Sequence, residues 1–98
     1  MNENDFIWLL KWYDNHCDGD WEHGKNISLT TIDNPGWSLT INLSETELAT
    51  KSFPEIEQEN SENNWLICFV KNQSFEGRCG PLNLPTVLNI FRKWVENS

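Results

Sequence analysis

Residues 17–37, with the sequence CDGDWEHGKNISLTTIDNPGW, decide how the chain folds. Cys17-Asp18-Gly19-Asp20 interrupts the apolar periodicity that precedes it, and Gly19 can adopt the positive φ that ends a helix. From Ile27 the period changes to two, which predicts a strand up to residue 32. Asp33-Asn34-Pro35-Gly36 is a strong turn signal that leads into a second alternating strand. The segment therefore predicts a helix end followed by an antiparallel hairpin.

The flanking sequence predicts one helix at each end and further strands between them. Asn4 and Asp5 can cap a first helix that runs to about residue 16 and has a wide apolar face. Residues 65–70, WLICFV, form a continuous apolar run, typical of an interior strand covered on both faces. A short strand at about 74–78 returns beside it. Asn83 can cap a closing helix with one apolar stripe.

The connection between the hairpin and the apolar run is polar and acidic, and residues 57–64 are predicted to be a solvated loop. The chain is then expected to form a single domain over residues 1–98. Its predicted class is α+β, in the order α-β-β-β-β-α. A four-stranded antiparallel sheet is expected, with the N- and C-terminal helices packed on it.

Charge and cysteine content restrict the class of partner and the compartment. Fifteen acidic residues against seven basic ones give a net charge of −8. This balance disfavours a nucleic-acid backbone or an anionic membrane as a partner, and it favours a basic protein. The N-terminus does not resemble a secretory signal, and three widely spaced cysteines do not suggest a disulfide framework. A reduced, cytoplasmic protein is the simpler expectation.

Residues 14–25 contain several carboxylates and two histidines, but their spacing does not fit a metal site. Read as a calcium loop that starts at Asp14, the segment has His16 at position three. It has Lys25 at position twelve, where a bidentate glutamate is needed. A zinc site needs a closed set of thiolate and imidazole ligands, and the sequence has no Cys-x-x-Cys or His-x-x-x-His pair. We therefore expect no metal and no other cofactor.

Catalytic patterns are weak as well. The sequence has no P-loop, no dinucleotide-binding glycine pattern and no nucleophile-elbow serine. One alternative stays open: a small-molecule binding module or hydrolase that uses Glu22, His23 and Asp33. It predicts a concave site between the first helix and the sheet, in which these three side chains converge.

Six tryptophans supply much of the apolar surface of this small chain. Four of them lie on apolar faces or runs and are predicted to be core residues: Trp8, Trp12, Trp65 and Trp94. A structural role is favoured for Trp37. Trp21 has two interpretations, either a cover over the end of the sheet or an exposed anchor surrounded by acids, as is common in binding hot spots.

The tryptophan-containing motifs resemble a known family. Trp8 to Tyr13, then Cys17-Asp-Gly-Asp-Trp-Glu-His23, then Ile27-x-Leu29-x-Thr31-Ile32-Asp33-Asn-Pro-Gly-Trp37 are similar to the immunity protein 53 family of bacterial polymorphic toxin systems. The resemblance is good over residues 6–48 and looser beyond them. It implies a small protein that neutralises a cognate toxin, and it supplies no catalytic residue.

The residues that carry this resemblance are expected to be mainly architectural: Trp12, Cys17, Gly19, His23, Asp33, Asn34, Pro35, Gly36 and Trp37. One departure precedes the first strand, where the family pattern has an aromatic residue and a glycine and this chain has Lys25 and Asn26. Asparagine tolerates the left-handed conformation better than most residues, so we expect the turn to survive.

The resulting hypothesis is a non-catalytic immunity protein that binds a cognate toxin domain by occlusion and charge complementarity. A nuclease toxin is attractive because nucleases carry cationic clefts for phosphates. The expected interface is acidic, drawn from the loop after the first helix and from residues 45–62, with Trp21 as its aromatic anchor. Its predicted members are Asp18, Asp20, Trp21, Glu22, Glu45, Glu47, Glu55 and Glu57. The free protein is expected to be a monomer or a weak homodimer.

Overall fold

The computed structural model describes residues 3–33 and 35–97, so Asn34 of the predicted turn lies outside the described residues. The elements follow in the order α1 (Asp5–His16), a 3₁₀ helix (Trp21–His23), β1 (Ile27–Ile32), β2 (Gly36–Asn42), β3 (Ile56–Ser61), β4 (Asn64–Lys71), β5 (Ser74–Cys79) and α2 (Leu84–Glu96). The α+β class and the two terminal helices are confirmed. The sheet has five strands, however, and not the four that the sequence predicts.

The strands are arranged in the order β1-β2-β5-β4-β3, and every neighbouring pair is antiparallel. β5 lies in the centre of the sheet, and β1 and β3 form its two edges. The predicted hairpin of β1 and β2 is present, with Ile27 opposite Ile41 and Ile32 opposite Gly36. The interior position predicted for residues 65–70 is also confirmed, because β4 lies between β5 and β3.

β3 is the strand that sequence reasoning misses. Where the sequence predicts a solvated loop, Glu57 pairs with Ile67 and Glu59 pairs with Trp65 of β4. Every residue of β3 after Ile56 is exposed, so the strand lacks the apolar alternation that marks a half-buried strand. Backbone hydrogen bonds to β4, and not side-chain burial, place this segment in the sheet.

Both helices contribute to a core that is rich in aromatic residues. The ring of Phe91 on α2 packs edge-on against Trp12 of α1 at 5.4 Å between centroids, and it packs on Phe75 of β5 at 5.0 Å. A Cβ added at Gly77 of β5 would lie 2.6 Å from Cγ1 of Val87, so α2 and the central strand approach closely there. The helices therefore cover the face of the sheet that carries Phe75 and Gly77.

The buried face of α1 is narrower than the sequence predicts. Leu9 and Trp12 are buried, but Phe6 is 52% exposed and Leu10 is 48% exposed. Leu29 of the edge strand β1 is also 42% exposed. These three side chains line a concave region between α1 and β1 that the core does not fill.

The β4–β5 hairpin turns through Asn72 and Gln73, whose φ angles are 53° and 60°. Lys71 pairs with Ser74 across this two-residue loop. A two-residue loop with both φ angles positive is a type I′ turn, whose twist matches that of the flanking strands. Asparagine adopts this conformation readily, whereas glutamine does so at a cost of about 1 kcal/mol or more.

A Gln73→Gly substitution is expected to raise the free energy of unfolding by about 0.5–1 kcal/mol. Glycine removes the strain of a Cβ at positive φ, and this gain exceeds the cost of the greater conformational freedom of glycine in the unfolded chain. Calorimetry should then show a Tm higher by several degrees. Asn72→Gly is the matched control and should gain less, since asparagine is already tolerated. A lower Tm for Gln73→Gly would contradict the role assigned to this turn.

Candidate functional site

Residues 17–23 form a loop that is held together by its own carboxylates. Oδ1 of Asp18 accepts hydrogen bonds from the backbone amides of Asp20 and Trp21, both at 3.0 Å. Glu22 reaches back, so that Oε1 accepts from the amide of Asp18 at 2.9 Å and Oε2 accepts from the amide of Gly19 at 2.7 Å. Gly19 has the predicted positive φ, at 99°. This reciprocal bonding resembles a capping box and shapes the connection from α1 to β1.

The same bonds favour the ionised carboxylates. Hydrogen bonds from the amides of Trp21 and Asp20 lower the pKa of Asp18. For Glu22, the hydrogen bond from its own amide is the largest cause, and with the amides of Asp18 and Gly19 it outweighs desolvation and lowers the pKa. Both pKa values are lower in the folded state than in the unfolded chain. Their contribution to stability is therefore complete above the ordinary values of 3.8 and 4.5 and is lost as the pH falls through and below them.

A Glu22→Gln variant should melt at a lower temperature than the parent protein at about pH 7, because the amide side chain can accept from only one of the two backbone amides. The difference should shrink as the pH falls below 4.5, the ordinary value for glutamate, because the parent glutamate is then progressively protonated and also loses its charge. Thermal melts over this pH range measure both effects. Glu45→Gln removes the same charge without these bonds, and its pH profile should run parallel to that of the parent. A pH-independent difference for Glu22→Gln would argue against this account.

Trp21 lies beneath this loop and is 6% exposed. Its ring packs edge-on against Trp12 at 5.9 Å between centroids, and it lies at a tilt of 51° to the ring of Tyr13 at 5.5 Å. The 3₁₀ helix Trp21–His23 thus turns the indole into the core cluster. The prediction that Trp21 is an exposed aromatic anchor is wrong. The other interpretation, in which Trp21 covers the end of the sheet, fits the structure.

Asn26 joins the loop to the sheet through its side chain. It is buried, at 4% exposure, and its side-chain amide donates to the carbonyl of Trp21. Its Oδ1 accepts from Nδ2 of Asn42 at 2.9 Å, while its backbone carbonyl accepts from the amide of Asn42 at 2.7 Å. Asn26 is not one of the described residues with positive φ, so the expectation of a left-handed turn is wrong. Hydrogen bonding explains the asparagine at this departure from the family pattern.

The other residues of the signature lie at the hairpin and its surroundings. Nε1 of Trp37 donates to the carbonyl of Pro81 at 3.1 Å, which ties β2 to the segment before α2. Gly36 is the buried first residue of β2, while Asp33 and Pro35 are exposed. The φ angle of Gly36 is not positive, so the turn does not require a glycine there. Glycine is needed instead because the backbone of Cys79 approaches this position closely.

The acids predicted at the interface fall into two groups. Asp18, Glu22 and Glu47 are engaged within the protein, the last through Oε1 at 2.9 Å from Nε2 of His16. Desolvation is the largest single influence on the pKa of Glu47 and raises it, but the hydrogen bond from His16, the hydrogen bond from its own amide and the nearby charges of His16 and Lys51 together lower it. Four others are exposed and form no ion pair with the described residues: Asp20, Glu45, Glu55 and Glu57.

The residues of the hydrolase alternative do not converge. A cavity of about 560 Å³ does lie between α1 and β1, but its lining is mostly apolar and contains none of Glu22, His23 and Asp33. His23 and Asp33 are exposed, and Glu22 bonds to backbone amides. In the described part of the chain, no group of three or more His, Cys, Asp or Glu side chains is placed to hold a metal ion.

The thiols are poorly suited to nucleophilic catalysis. Burial raises the pKa of Cys68 to about 12, and it also raises the pKa of Cys79. Desolvation, followed by the charge of Glu22, raises the pKa of Cys17. The thiolate is the reactive form of cysteine, so these environments oppose its formation at neutral pH.

The face of the sheet that points away from α2 carries a second candidate site, which we call the open face. Along β4, Leu66 and Cys68 are buried on the helix side, whereas Trp65, Ile67 and Phe69 alternate with them and are half-buried. None of these three residues is among the described hydrophobic residues that pack against the core cluster. The predictions that Trp65 is a core residue and that this strand is covered on both faces are therefore wrong.

Charged side chains surround this apolar strip. The cross-strand register places Glu57 opposite Ile67 and Glu59 opposite Trp65 on the β3 side. On the β5 side, Glu76 is opposite Phe69. One feature of the sequence could have indicated this face. The sequence predicts only two helices, which are too few to cover both sides of a sheet, so one apolar surface is left to solvent or to a partner.

The backbone of Trp65 is held in place from the connection between β5 and α2. Its amide donates to Oδ1 of Asn83 at 3.3 Å, and its carbonyl accepts from the amide of Gly80 at 2.9 Å. Asn83 occupies the N-cap position of α2 as predicted, but its side chain makes no capping hydrogen bond. It bonds instead to Trp65 and to Asn64, whose Oδ1 accepts at 2.9 Å. These hydrogen bonds anchor the backbone of the open face at this point.

No helix in the described part of the chain is long and apolar enough to cross a membrane.

Comparison with known proteins extends the resemblance seen in the sequence. A family model described as Immunity protein 53 matches residues 6–96 of the 98-residue chain. The searches of curated proteins and of solved structures gave no match. The family match runs from α1 through the hairpin, β3, β4 and β5 to the end of α2. Since it covers nearly all of the sequence, the chain belongs to the immunity protein 53 family.

Proposed function

We propose that the protein is a non-catalytic immunity protein that binds a cognate bacterial toxin domain and blocks it by occlusion and charge complementarity. The observation that supports this most directly is a row of exposed glutamates without ion pairs among the described residues, along β3 and its ends: Glu55, Glu57, Glu59 and Glu62. Like charges so close together repel one another, and a basic partner would relieve that repulsion.

The proposed toxin is a basic protein domain, with a nuclease as the favoured type. A nuclease must hold phosphates in a cleft lined by Lys and Arg, so an acidic inhibitor can occupy the same cleft. With a net charge of −8, the inhibitor itself is not proposed to bind nucleic acid or an anionic membrane. We place the protein in the cytoplasm, where such a toxin would act, as a monomer or weak homodimer before binding.

Coexpression with the toxin encoded by the neighbouring gene tests the function. Cells that express the toxin alone should stop growing, and coexpression of this protein should restore growth. A catalytically inactive form of the same toxin should form a stable complex with it in size-exclusion chromatography and isothermal titration calorimetry. An unrelated immunity protein is the control. No complex and no rescue would refute the proposal.

The salt dependence of binding provides a further check on charge complementarity. The association rate constant with the inactive toxin should fall at least about tenfold between about 50 mM and 500 mM salt, because salt screens the attraction of opposite charges. Stopped-flow tryptophan fluorescence can measure the rate. A rate that does not depend on salt would show that steric fit alone governs the encounter.

A further inference from the structure

The open face contains one complete site for a cation, filled by the protein itself. Phe69 and Glu76 are cross-strand partners on β4 and β5. The guanidinium of Arg78 lies 5.4 Å from the centroid of the Phe69 ring, and its Nη2 lies 3.5 Å from Oε1 of Glu76. Arg78 is thus held between an aromatic face and a carboxylate, which is a favourable environment for a guanidinium.

A second pair of the same kind lies on β3 and β4, four residues from Phe69 along β4. Trp65 and Glu59 are cross-strand partners, so they have the same relation as Phe69 and Glu76. Within residues 3–33 and 35–97, no Lys or Arg lies over the ring of Trp65, and Glu59 forms no ion pair. Tryptophan is the best aromatic partner for a cation. The aromatic and acidic groups are therefore in place, and the chain does not supply the cation.

We propose that the Glu59–Trp65 pair receives an arginine side chain of the cognate toxin, which makes the β3 side of the open face the docking surface. This inference rests on the proposed function and adds the surface and the chemistry of the contact. Arginine fits better than lysine, because its planar and weakly hydrated guanidinium can stack on the indole while it bonds to the carboxylate.

The surroundings of the pair favour such a contact. A depression of about 350 Å³ is lined by Glu57, Glu59, Ser61, Glu62, Trp65 and Ile67 among others. The register shift between Glu59 and Ser61 places a β-bulge beside the pair, and bulges re-aim the side chains next to them. Because the backbone of Trp65 is bonded to Gly80 and Asn83, its backbone needs little further ordering on binding.

Two competing explanations make different predictions. Charged residues on an edge strand also prevent strands of different molecules from pairing, and in that case Glu59 would matter only for solubility. The toxin could also dock on the other exposed apolar region, between α1 and β1, where Phe6 and Leu10 are about half exposed at 52% and 48%. Neither explanation requires Glu59 or Trp65 for toxin binding.

The test measures the affinity of an inactive form of the toxin from the neighbouring gene for six variants of the full chain. Glu59→Gln and Trp65→Leu should each weaken binding roughly 30-fold, and the double variant should lose less than the product of the two because both contact the same arginine. Asp14→Asn removes an equal charge from an exposed site on α1, outside the open face and outside the predicted interface, and should bind within about twofold of the parent. Trp65→Phe retains an aromatic face and should recover part of the loss.

The outcomes separate this inference from the proposed function. Failure of the parent protein to bind the toxin would refute both. Normal binding by the parent together with equal, small effects of Glu59→Gln and Asp14→Asn would refute the docking surface alone. A loss of binding by Leu10→Gln with unchanged binding by Glu59→Gln would place the toxin on the region between α1 and β1 and would also overturn the inference. Far-UV circular dichroism melts verify that Trp65→Leu is folded.

Discussion

A Gly36→Ala variant is expected to lose about 3 kcal/mol of its free energy of unfolding, more than the usual core substitution that adds one methyl group. A Cβ at this position would overlap the backbone carbonyl oxygen of Cys79, and it would lie 3.1 Å from the carbonyl carbon of that residue. It would also lie 3.4 Å from Cα of Gly80. All of these are backbone atoms, which cannot rotate away as a side chain can. β2 and β5 would have to separate where Trp37 pairs with Cys79.

Thermal and urea unfolding measure the loss, and Gly24→Ala is the matched control. A Cβ at Gly24 would meet only Oδ1 of Asn26 at 3.7 Å, which is an ordinary van der Waals contact. Gly24→Ala should therefore stay within about 0.5 kcal/mol of the parent. A domain of this size has about 5–10 kcal/mol in total, so Gly36→Ala should remain mostly folded at room temperature but should unfold at a lower temperature and a lower urea concentration than the parent. Parent-like unfolding of Gly36→Ala would show that the strands separate without cost and would contradict the close approach.

An Asn26→Ala variant is the second large effect, with an expected loss of about 2–3 kcal/mol. The substitution removes the amide that donates to the carbonyl of Trp21 and the oxygen that accepts from Asn42. Each buried group left without a partner costs about 1–3 kcal/mol. Asn42 is itself connected onward, since its Oδ1 accepts from the amide of Ser44 at 3.1 Å and from the hydroxyl at 2.8 Å. The loss should therefore loosen the end of β2 as well as the loop.

Asn26→Gly restores the residue type of the family pattern and separates two explanations. If backbone freedom were the need at this site, glycine would match or exceed asparagine in stability. If the side-chain bonds matter, glycine should be at least as destabilising as alanine. Lys25→Ala is the control, because Lys25 is exposed and the change should fall within about 0.5 kcal/mol. Chemical denaturation at neutral pH gives all three values, and a stable Asn26→Gly variant would contradict the network.

Much of the framework could be predicted from local sequence. The limits of α1 follow from the cap at Asn4, whose side chain accepts from the amide of Ile7 at 2.8 Å, and from the break at residues 17–20, where the backbone becomes extended at Cys17. The hairpin follows from alternation on both sides of a turn signal. These features depend on contacts between residues near in sequence, so the sequence reports them directly. The family motifs lie in the same segments, which explains why residues 17–37 identify the family.

The residues exposed at the candidate site could not be predicted in the same way, because their exposure depends on contacts between residues far apart in the sequence. Two tryptophans show this. Trp65, predicted to be a core residue, lies half-buried on the open face, whereas Trp21, predicted to be an exposed anchor, is buried. The prediction for Trp65 fails because an apolar run of sequence shows that a strand is hydrophobic but not which face of the sheet is covered by another layer. That layer is supplied by α2, whose Val87 lies over Gly77 of β5 and leaves the other side of the sheet uncovered.

In residues 17–37, the sequence by itself determined the helix end, the hairpin and the family, because each rests on local propensity or on a motif. Only the tertiary structure decided the use of the carboxylates. Asp18 and Glu22 are directed to backbone amides, while the glutamates of β3 are left at the surface. β3 itself could not be predicted, because its residues are polar and its place in the sheet comes from backbone pairing with β4. Hydrogen bonds between backbone groups leave no periodic pattern in side-chain polarity, and for that reason the proposed docking surface became apparent only in the folded molecule.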